Sequence, residues 1–428
     1  MTFKPGDKVE VITKDEVVKG ILLPSFKEGI MFVKLDSGYN IGIDKTQVIE
    51  IKKIGEPVKL EVFPSVKVEH NKDLPSVSFV ATGGTIASRL DYETGAVKWL
   101  MEPGQIFFLA PEIAKVCNVR KIEKPFAIAS ESMSFSKWVV IAKQVAKLLN
   151  DGDSGVIVTH GTDSLHYTGA ALSFMLKGLT KPVILTYAQR STDRGSTDTA
   201  MNLICSAQMS VSNVGGVMLV GHGSTDDSFC LAIDGVKVRK MHTSRRDTFR
   251  PVNDVPIAKV FKDGKIEIIK KNIINRDDSC KIEVNDKYED KIALVKYVPG
   301  MSSDIIDALV DKGIKGIVLE VMGLGHVGTS ESDENWLPSI KRAIKEGVVV
   351  CAAGQCLYGR LDPYVYSNGR DLLDIGVIFL KDMLPEVAYV KLGCVLGNFK
   401  DEKEIKLEML KNYAGEFNDR LDGRMFLN

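Results

Sequence analysis

The stretch Val77-Ser78-Phe79-Val80-Ala81-Thr82-Gly83-Gly84-Thr85-Ile86 constrains the fold more than any other part of the chain. Its β-branched and aromatic run reads as a buried strand, and two adjacent glycines break it. Gly83 and Gly84 permit a sharp turn and leave a bare backbone that a ligand can approach closely. Thr85 then presents a hydroxyl at the carboxyl end of that strand, the edge at which open α/β sheets hold their ligands. Taken alone, the pattern is explained equally well by an ordinary strand-to-loop turn.

The following chain repeats the situation. Gly155-Val156-Ile157-Val158-Thr159 reads as a second strand and His160-Gly161-Thr162-Asp163-Ser164 as a polar turn. A helix is predicted over residues 167–179, a strand over 182–186, a helix over 197–209 and a strand over 216–220. Strands alternating with helices of this length indicate a parallel, helix-covered sheet. Thr162 or Asp163 alone would be a helix N-cap. Two hydroxyl-bearing turns at one sheet edge favour a catalytic reading. From residue 292 the alternation resumes, with strands over 292–297, 317–321 and 348–351 and helices over 303–312 and 336–346. Residues 401–421 read as charged, mostly helical and largely a solvated face.

The first sixty residues differ in kind. Short β-type runs at Val9–Ile12, Val17–Val18, Met31–Leu35 and Tyr39–Ile43 are separated by turn signals such as Pro5-Gly6-Asp7 and Asp36-Ser37-Gly38. They suggest a small SH3-like β-barrel. With ten lysines against nine acids through Leu60 it is no basic clamp for nucleic acid. A docking module and a passive appendage are equally good readings. Residues 61–75, with Pro64, Pro75 and a polar run from His70 to Asp73, read as a domain linker.

Length and composition bound the rest. A chain of 428 residues exceeds one ordinary core, and 44% hydrophobic with 26% charged residues is globular usage. Lys plus Arg equals Asp plus Glu at 56 each, against a chain built mainly to grip phosphates. Charges at Lys4, Asp7, Lys8 and Glu10 leave no apolar leader, and no run nears the ~18 apolar residues of a membrane span. Seven scattered cysteines without a CxxC pair fit reduced thiols in a cytoplasm. Six histidines without HExxH or related spacing argue against a metal site.

Taken together, Thr82-Gly83-Gly84-Thr85-Ile86-Ala87 and His160-Gly161-Thr162-Asp163-Ser164 resemble the bacterial-type L-asparaginase family of threonine amidohydrolases. Val238-Arg239-Lys240-Met241-His242-Thr243 looks like the family's lysine segment, and Ser130-Glu131-Ser132-Met133 is similar to its substrate-binding turn. The resemblance runs from Val77 to about Asn398. It implies an α/β body, with a catalytic α/β domain over 76–270, a connector over 271–290 and a second α/β domain over 291–400; the SH3-like barrel over 1–60, the linker over 61–75 and the charged helical tail over 401–428 are read from the residues beside it. Both large domains are expected to have mainly parallel sheets.

The resemblance assigns Thr85 as nucleophile, with Thr162, Asp163 and Lys240 relaying its proton. Ser130 and Glu131 would hold the substrate's α-carboxylate and α-ammonium, and Tyr92 would belong to a lid loop between Arg89 and Gly95. Backbone N–H groups beside Gly161 and Thr162 are the expected oxyanion donors. The turn Gly323-Leu324-Gly325-His326 matches one that reaches a neighbouring subunit's substrate, but the family often has Asn where His326 stands, and a plain Gly-rich turn reads as well. An amino-terminal barrel is absent from simple asparaginases. Its presence resembles the D subunits of archaeal two-subunit glutamyl-tRNA(Gln) amidotransferases. That likeness implies a cytoplasmic heterotetramer, with a homodimer of this chain, an E subunit that engages Glu-tRNA(Gln), ATP and Mg in that partner, and no cofactor here. A free-standing L-asparaginase is the alternative.

Overall fold

The computed structural model describes residues 3–25, 27–56, 70–84, 86, 88–90, 97–99, 103–192 and 194–426. Thr85, Tyr92 and most of the Arg89-to-Gly95 loop lie outside the described residues. On either side of that loop, Ser88–Leu90 pairs antiparallel with Val97–Trp99, so its flanks form a small β-hairpin.

The predicted strands assemble into one eight-stranded sheet. Its parallel part runs Asn118–Glu123, Ser76–Ala81, Gly155–Thr159, Pro182–Thr186, Gly216–His222. Three antiparallel strands, Cys230–Asp234, Ala258–Val260 and Ile266–Ile268, extend it past Gly216–His222. Within the parallel part, the first strand in sequence lies between the second and the third. Chains leaving the first and the third strand cross to opposite faces, which opens a crevice at their carboxyl ends. That crevice lies between Ser76–Ala81 and Gly155–Thr159, the two strands that end in Thr82-Gly83-Gly84 and His160-Gly161-Thr162.

The period of two along each strand builds the core. Val77, Phe79, Ile157, Ile184 and Met218 face the helix Thr199–Ser210. Val80, Val156, Val158, Val183, Leu185 and Leu219 face the helices Phe135–Asn150 and Leu165–Met175. Apolar residues on both faces are why these strands read as near-continuous hydrophobic runs. The second domain is a four-stranded parallel sheet in the order Ile292–Lys296, Gly316–Val321, Val349–Gly354, Ile378–Phe379. Its helix Pro385–Asn398 packs on Leu165–Met175, so the two domains share one core.

The amino-terminal strands form a single five-stranded antiparallel sheet in the order Asn40–Asp44, Ile30–Lys34, Val17–Leu23, Lys8–Thr13, Val48–Gly55. Val9, Val11, Val18 and Val33 are its buried centre. At one turn, the Tyr39 ring lies 5.3 Å from the Arg194 guanidinium of the large domain. The neighbouring Ser196 hydroxyl, helped by Arg190 and Arg194, holds the Tyr39 phenol below its ordinary pKa.

Several boundaries differ from the pattern reading, each for a tertiary reason. The helix expected over 167–179 ends at Met175, because Leu176–Lys177 pairs with Glu283–Val284 and Gly178 takes a φ of +71°. The tail is helical only over Glu402–Leu410. Beyond it Glu416 is fully buried, receives Lys391 Nζ at 2.6 Å, and accepts the N–H groups of Tyr413 and Ala414. Breaking a buried pair of this kind strands a charge and costs about 3–5 kcal/mol. Glu416→Gln is therefore expected to lower the denaturant-derived unfolding free energy by roughly that amount, while Lys391→Met with Glu416→Leu costs much less. Equal losses in both variants would show that packing, not the charge pair, holds the tail.

Candidate active site

The site is built from three turns that touch through glycine. Gly83 and Gly84 have φ of +119° and +86°, which side-chain-bearing residues rarely adopt. A Cβ on Gly84 would lie 2.5 Å from the Gly161 nitrogen, and one on Gly83 would lie 2.3 Å from the Ile128 carbonyl oxygen. A Cβ on Gly161 would meet the Ser130 side chain at 2.7 Å. No side chain therefore separates the Thr82–Gly84 turn from His160–Ser164, and only the small Ser130 side chain stands between that turn and Ala129–Met133. Sheet pairing carries into them, since Thr82 N–H donates to Thr159 O and His160 N–H to Thr186 O.

Lys240 reaches this junction from outside the sheet. It ends the strand Val238–Lys240, paired with Phe249–Pro251 in a separate two-stranded ribbon. Its Nζ lies 2.8 Å from Thr162 Oγ1 and 2.9 Å from Asp163 Oδ1. The lysine side chain is only 13% exposed, whereas that of Asp163 is 66% exposed. The amine thus contacts a hydroxyl on its sheltered side and a carboxylate at the rim. Three of the four residues assigned to catalysis meet within hydrogen-bond distance. The fourth, Thr85, lies outside the described residues, next in the chain to the Gly84 that abuts Gly161.

Ser130 is buried, and its position differs from that of a simple substrate ligand. Its hydroxyl oxygen accepts the Asp163 N–H at 3.1 Å, and its carbonyl accepts the Ser164 hydroxyl. It braces the Asp163 turn and retains its own hydroxyl proton for donation. Glu131 is exposed beside it on the 3-10 turn Ser130–Ser132. Among the described residues, no hydrogen bond uses the N–H of Gly161 or Thr162. Two unengaged backbone donors on adjacent residues are what an oxyanion requires. His326 ends the turn after Gly316–Val321, exchanges backbone hydrogen bonds with Met322, and stands edge-on to Tyr366.

The sequence reading missed what lies beneath the turn. His160 is fully buried, with Nδ1 2.7 Å from the Gly161 carbonyl and Nε2 2.9 Å from Thr168 Oγ1. Trp138 Nε1 donates to that same hydroxyl at 2.9 Å. A carbonyl only accepts, so Nδ1 carries the proton, Nε2 accepts from Thr168, and Thr168 accepts from Trp138. Every atom of this relay has one role, and it fixes the Gly161 peptide from below. His160 was visible inside its motif, but Thr168 and Trp138 lie on two helices with no local signal of the contact. A cavity of about 520 Å³ opens between Thr180, Gly216, Cys394 and Val395, at the amino-terminal edge of the sheet, and none of the candidate site residues lines it.

The fold and this junction define an asparaginase-type body that carries an extra amino-terminal domain. Residues 76–274 match the family described as Asparaginase, N-terminal, and residues 291–409 the Glutaminase/Asparaginase C-terminal domain. Residues 3–54 match the GatD N-terminal domain. The D subunit of glutamyl-tRNA(Gln) amidotransferase from Pyrococcus furiosus is 50% identical over 430 residues, covering 99% of this chain and 97% of the relative. Its counterpart from Pyrococcus abyssi is 52% identical over 421 residues, covering 96% and 94%. Among solved structures, the thermostable L-asparaginase of Thermococcus kodakarensis is similar at a TM-score of 0.70 and 28% identity, covering 81% of this chain and all of that one. The chain belongs to the family of glutamyl-tRNA(Gln) amidotransferase D subunits.

The buried histidines give a measurable pH dependence. Burial pushes His160 down to about 4 and His166 down to about 3, below the ~6.5 of a free imidazole. The unfolded chain therefore binds protons that the folded chain refuses. Stability is full above about pH 6.5 and is lost as pH falls toward the folded values. Between about pH 6.5 and 5 the two histidines together should remove roughly 3 kcal/mol of unfolding free energy. Denaturant titrations across that range check it, and His160→Gln should remove about half of the loss. A flat profile would contradict the neutral, buried assignment.

Proposed function

We propose that this chain is the glutaminase subunit of a tRNA-dependent amidotransferase. It releases ammonia from glutamine so that a partner E subunit converts Glu-tRNA(Gln) to Gln-tRNA(Gln). The observation that carries the reading is Lys240 bridging Thr162 and Asp163 at the crevice where the Gly83-Gly84 turn meets Gly161. A threonine hydroxyl is a poor nucleophile unless a base adjoins it. In this reading, Thr85 Oγ attacks the side-chain carbonyl carbon of glutamine. Its proton passes through the Thr162–Lys240 pair to the departing amide nitrogen. Ammonia leaves, an ester to Thr85 remains, and water hydrolyses it to glutamate and free Thr85. The N–H groups of Gly161 and Thr162 receive the oxyanion, each such donor being worth about a hundred- to a thousand-fold in rate. Glu131 and Asp163 receive the substrate's α-ammonium, with the Ser130 hydroxyl donating to its α-carboxylate.

The chemistry calls on no cofactor in this chain. ATP and Mg belong to the activation of the tRNA-bound glutamate in the partner. The assembly we propose is a cytoplasmic heterotetramer around a homodimer of this chain. Support for the amidotransferase over a free L-asparaginase comes from the amino-terminal domain, present in relatives aligned across 99% of this chain. The asparaginase-like body alone would favour the free enzyme.

A subunit that makes ammonia for another enzyme wastes glutamine when it runs uncoupled, so its site should depend on the partner. Ammonia release from glutamine and from asparagine is to be measured with this chain alone, with the E subunit, and with the E subunit plus Glu-tRNA(Gln). The expected result is slow release alone and at least tenfold stimulation by partner and tRNA, a coupling of about 1.4 kcal/mol or more. Rapid asparagine turnover that neither addition changes would make the chain a free asparaginase.

A further inference from the structure

The lysine of the site stands on a support too small to hold it. Val238–Lys240 and Phe249–Pro251 pair over three residues each, outside every larger sheet. An isolated two-stranded ribbon is marginal in water even when longer. The register that brings Lys240 to Thr162 must therefore be fixed by tertiary contacts: Arg250 of the return strand is held within the first domain by Asp247 and the Gly223 carbonyl, whereas the basic residues on the Lys240 side pair with acids of the second domain.

Lys237, immediately before the ribbon, is buried and donates from Nζ to Asp382 Oδ2 at 2.7 Å. Asp382 also accepts the backbone N–H of Asn418 at 3.1 Å and its side-chain N–H at 2.9 Å. Past the return strand, Asn253 donates to the carbonyls of Leu357 and Asp382 and accepts the N–H of Gly359. Arg239, directly before Lys240, puts Nε 3.3 Å from Glu386 Oε1. Glu386 is buried in the first turn of Pro385–Asn398, four residues after Asp382. The basic residues three and one positions before Lys240 are thus gripped by two buried acids of the second domain.

Stability alone explains these acids poorly, because well-packed apolar residues often serve as well as a buried ion pair. The Glu386 contact also lacks the geometry of a full hydrogen bond. Its Oε1 is buried without a hydrogen-bond partner among the described residues, between Arg239 and, at 3.8 Å, His166 Nε2. What the pair of acids does supply is direction, since they fix where a short ribbon points. We propose that Glu386 and Asp382 are positioning residues for the hydrolysis, holding Lys240 against Thr162 from the carboxyl-terminal domain by way of Arg239 and Lys237. This inference rests on the glutaminase reading above.

The test uses the full chain with its partner and Glu-tRNA(Gln), and glutamine as substrate. Glu386→Gln keeps the shape of the side chain and removes its charge. The expected result is a kcat at least tenfold lower with KM within twofold and the melting temperature little changed. Because Glu386 acts through Arg239, the double variant Glu386→Gln, Arg239→Gln should lose no more than the worse single variant. Asp382→Asn would leave Lys237 buried without its charge partner and is liable not to fold. The paired change Lys237→Met with Asp382→Leu replaces it, and is expected to fold and to lose kcat likewise. A kcat within twofold of wild type in Glu386→Gln and in the paired variant overturns the proposal, as does a loss that appears in KM alone. A wild-type chain that releases no ammonia from either amide, with or without partner, overturns the glutaminase reading itself before any variant is compared.

Discussion

The arrangement depends on a contact that tolerates no side chain. Gly84 and Gly161 come from turns at the ends of two adjacent parallel strands, and their backbones touch where a single Cβ would intrude to 2.5 Å. Parallel neighbours leave their carboxyl ends side by side, and the strand order sends the two following chains to opposite faces. Glycine then lets the turns close on each other instead of being held apart. Thr162, Asp163 and the N–H groups of Gly161 and Thr162, unengaged among the described residues, inherit their places from that closure. The buried Trp138–Thr168–His160 relay backs the same peptide from the core side. Burial keeps the histidine neutral, and each member of this polar chain then has a satisfied hydrogen-bonding role.

The second domain contributes to the site by placement. Its helix Pro385–Asn398 shares the core of the first domain, so its amino-terminal end has a fixed relation to the large sheet. From that end the buried carboxylates reach the Lys240 ribbon. The amino-terminal domain touches the catalytic body elsewhere, through Tyr39 beneath Arg194. Arg194 belongs to the loop that follows the strand Pro182–Thr186, which lies beside Gly155–Thr159 at the same sheet edge. All three domains therefore bear on the carboxyl edge of one sheet.

How much of this was legible in the sequence follows from how local each signal is. The strand at Val77 and the one at Val156 announced themselves because both faces are buried and the runs are apolar throughout. The two glycine turns were legible because few residues other than glycine accept the backbone of Gly83 and Gly84, and because a side chain at Gly161 would strike Ser130. Ser130 was found through its motif, yet its main observed contact is with Asp163, which no spacing reveals. The strand Ile266–Ile268 lies in a lysine-rich segment, yet the turn Lys262-Asp263-Gly264-Lys265 before it reads as a hairpin, and the strand pairs antiparallel with Ala258–Val260. In the tail, Glu416 looked like one more solvated charge until Lys391, 25 residues earlier, buried it. Asp382 and Glu386 carried no signal either, because their partners lie well over a hundred residues away in the chain. Long-range ion pairs leave no periodicity to read.

The central claim is that the Gly83-Gly84 turn delivers a threonine nucleophile to the Thr162–Asp163–Lys240 cluster. A diazoketone analogue of glutamine tests it most directly, since it binds as the amide does and the nucleophile then displaces dinitrogen from its protonated diazo carbon, leaving a stable ether. The complex is to be incubated with the analogue and the modified residue mapped by mass spectrometry of its peptides. The account predicts one label per chain, on Thr85, blocked by excess glutamine and much slower in Lys240→Met. A label on Thr162, or on any residue outside this junction, in enzyme whose activity is lost in step would contradict it.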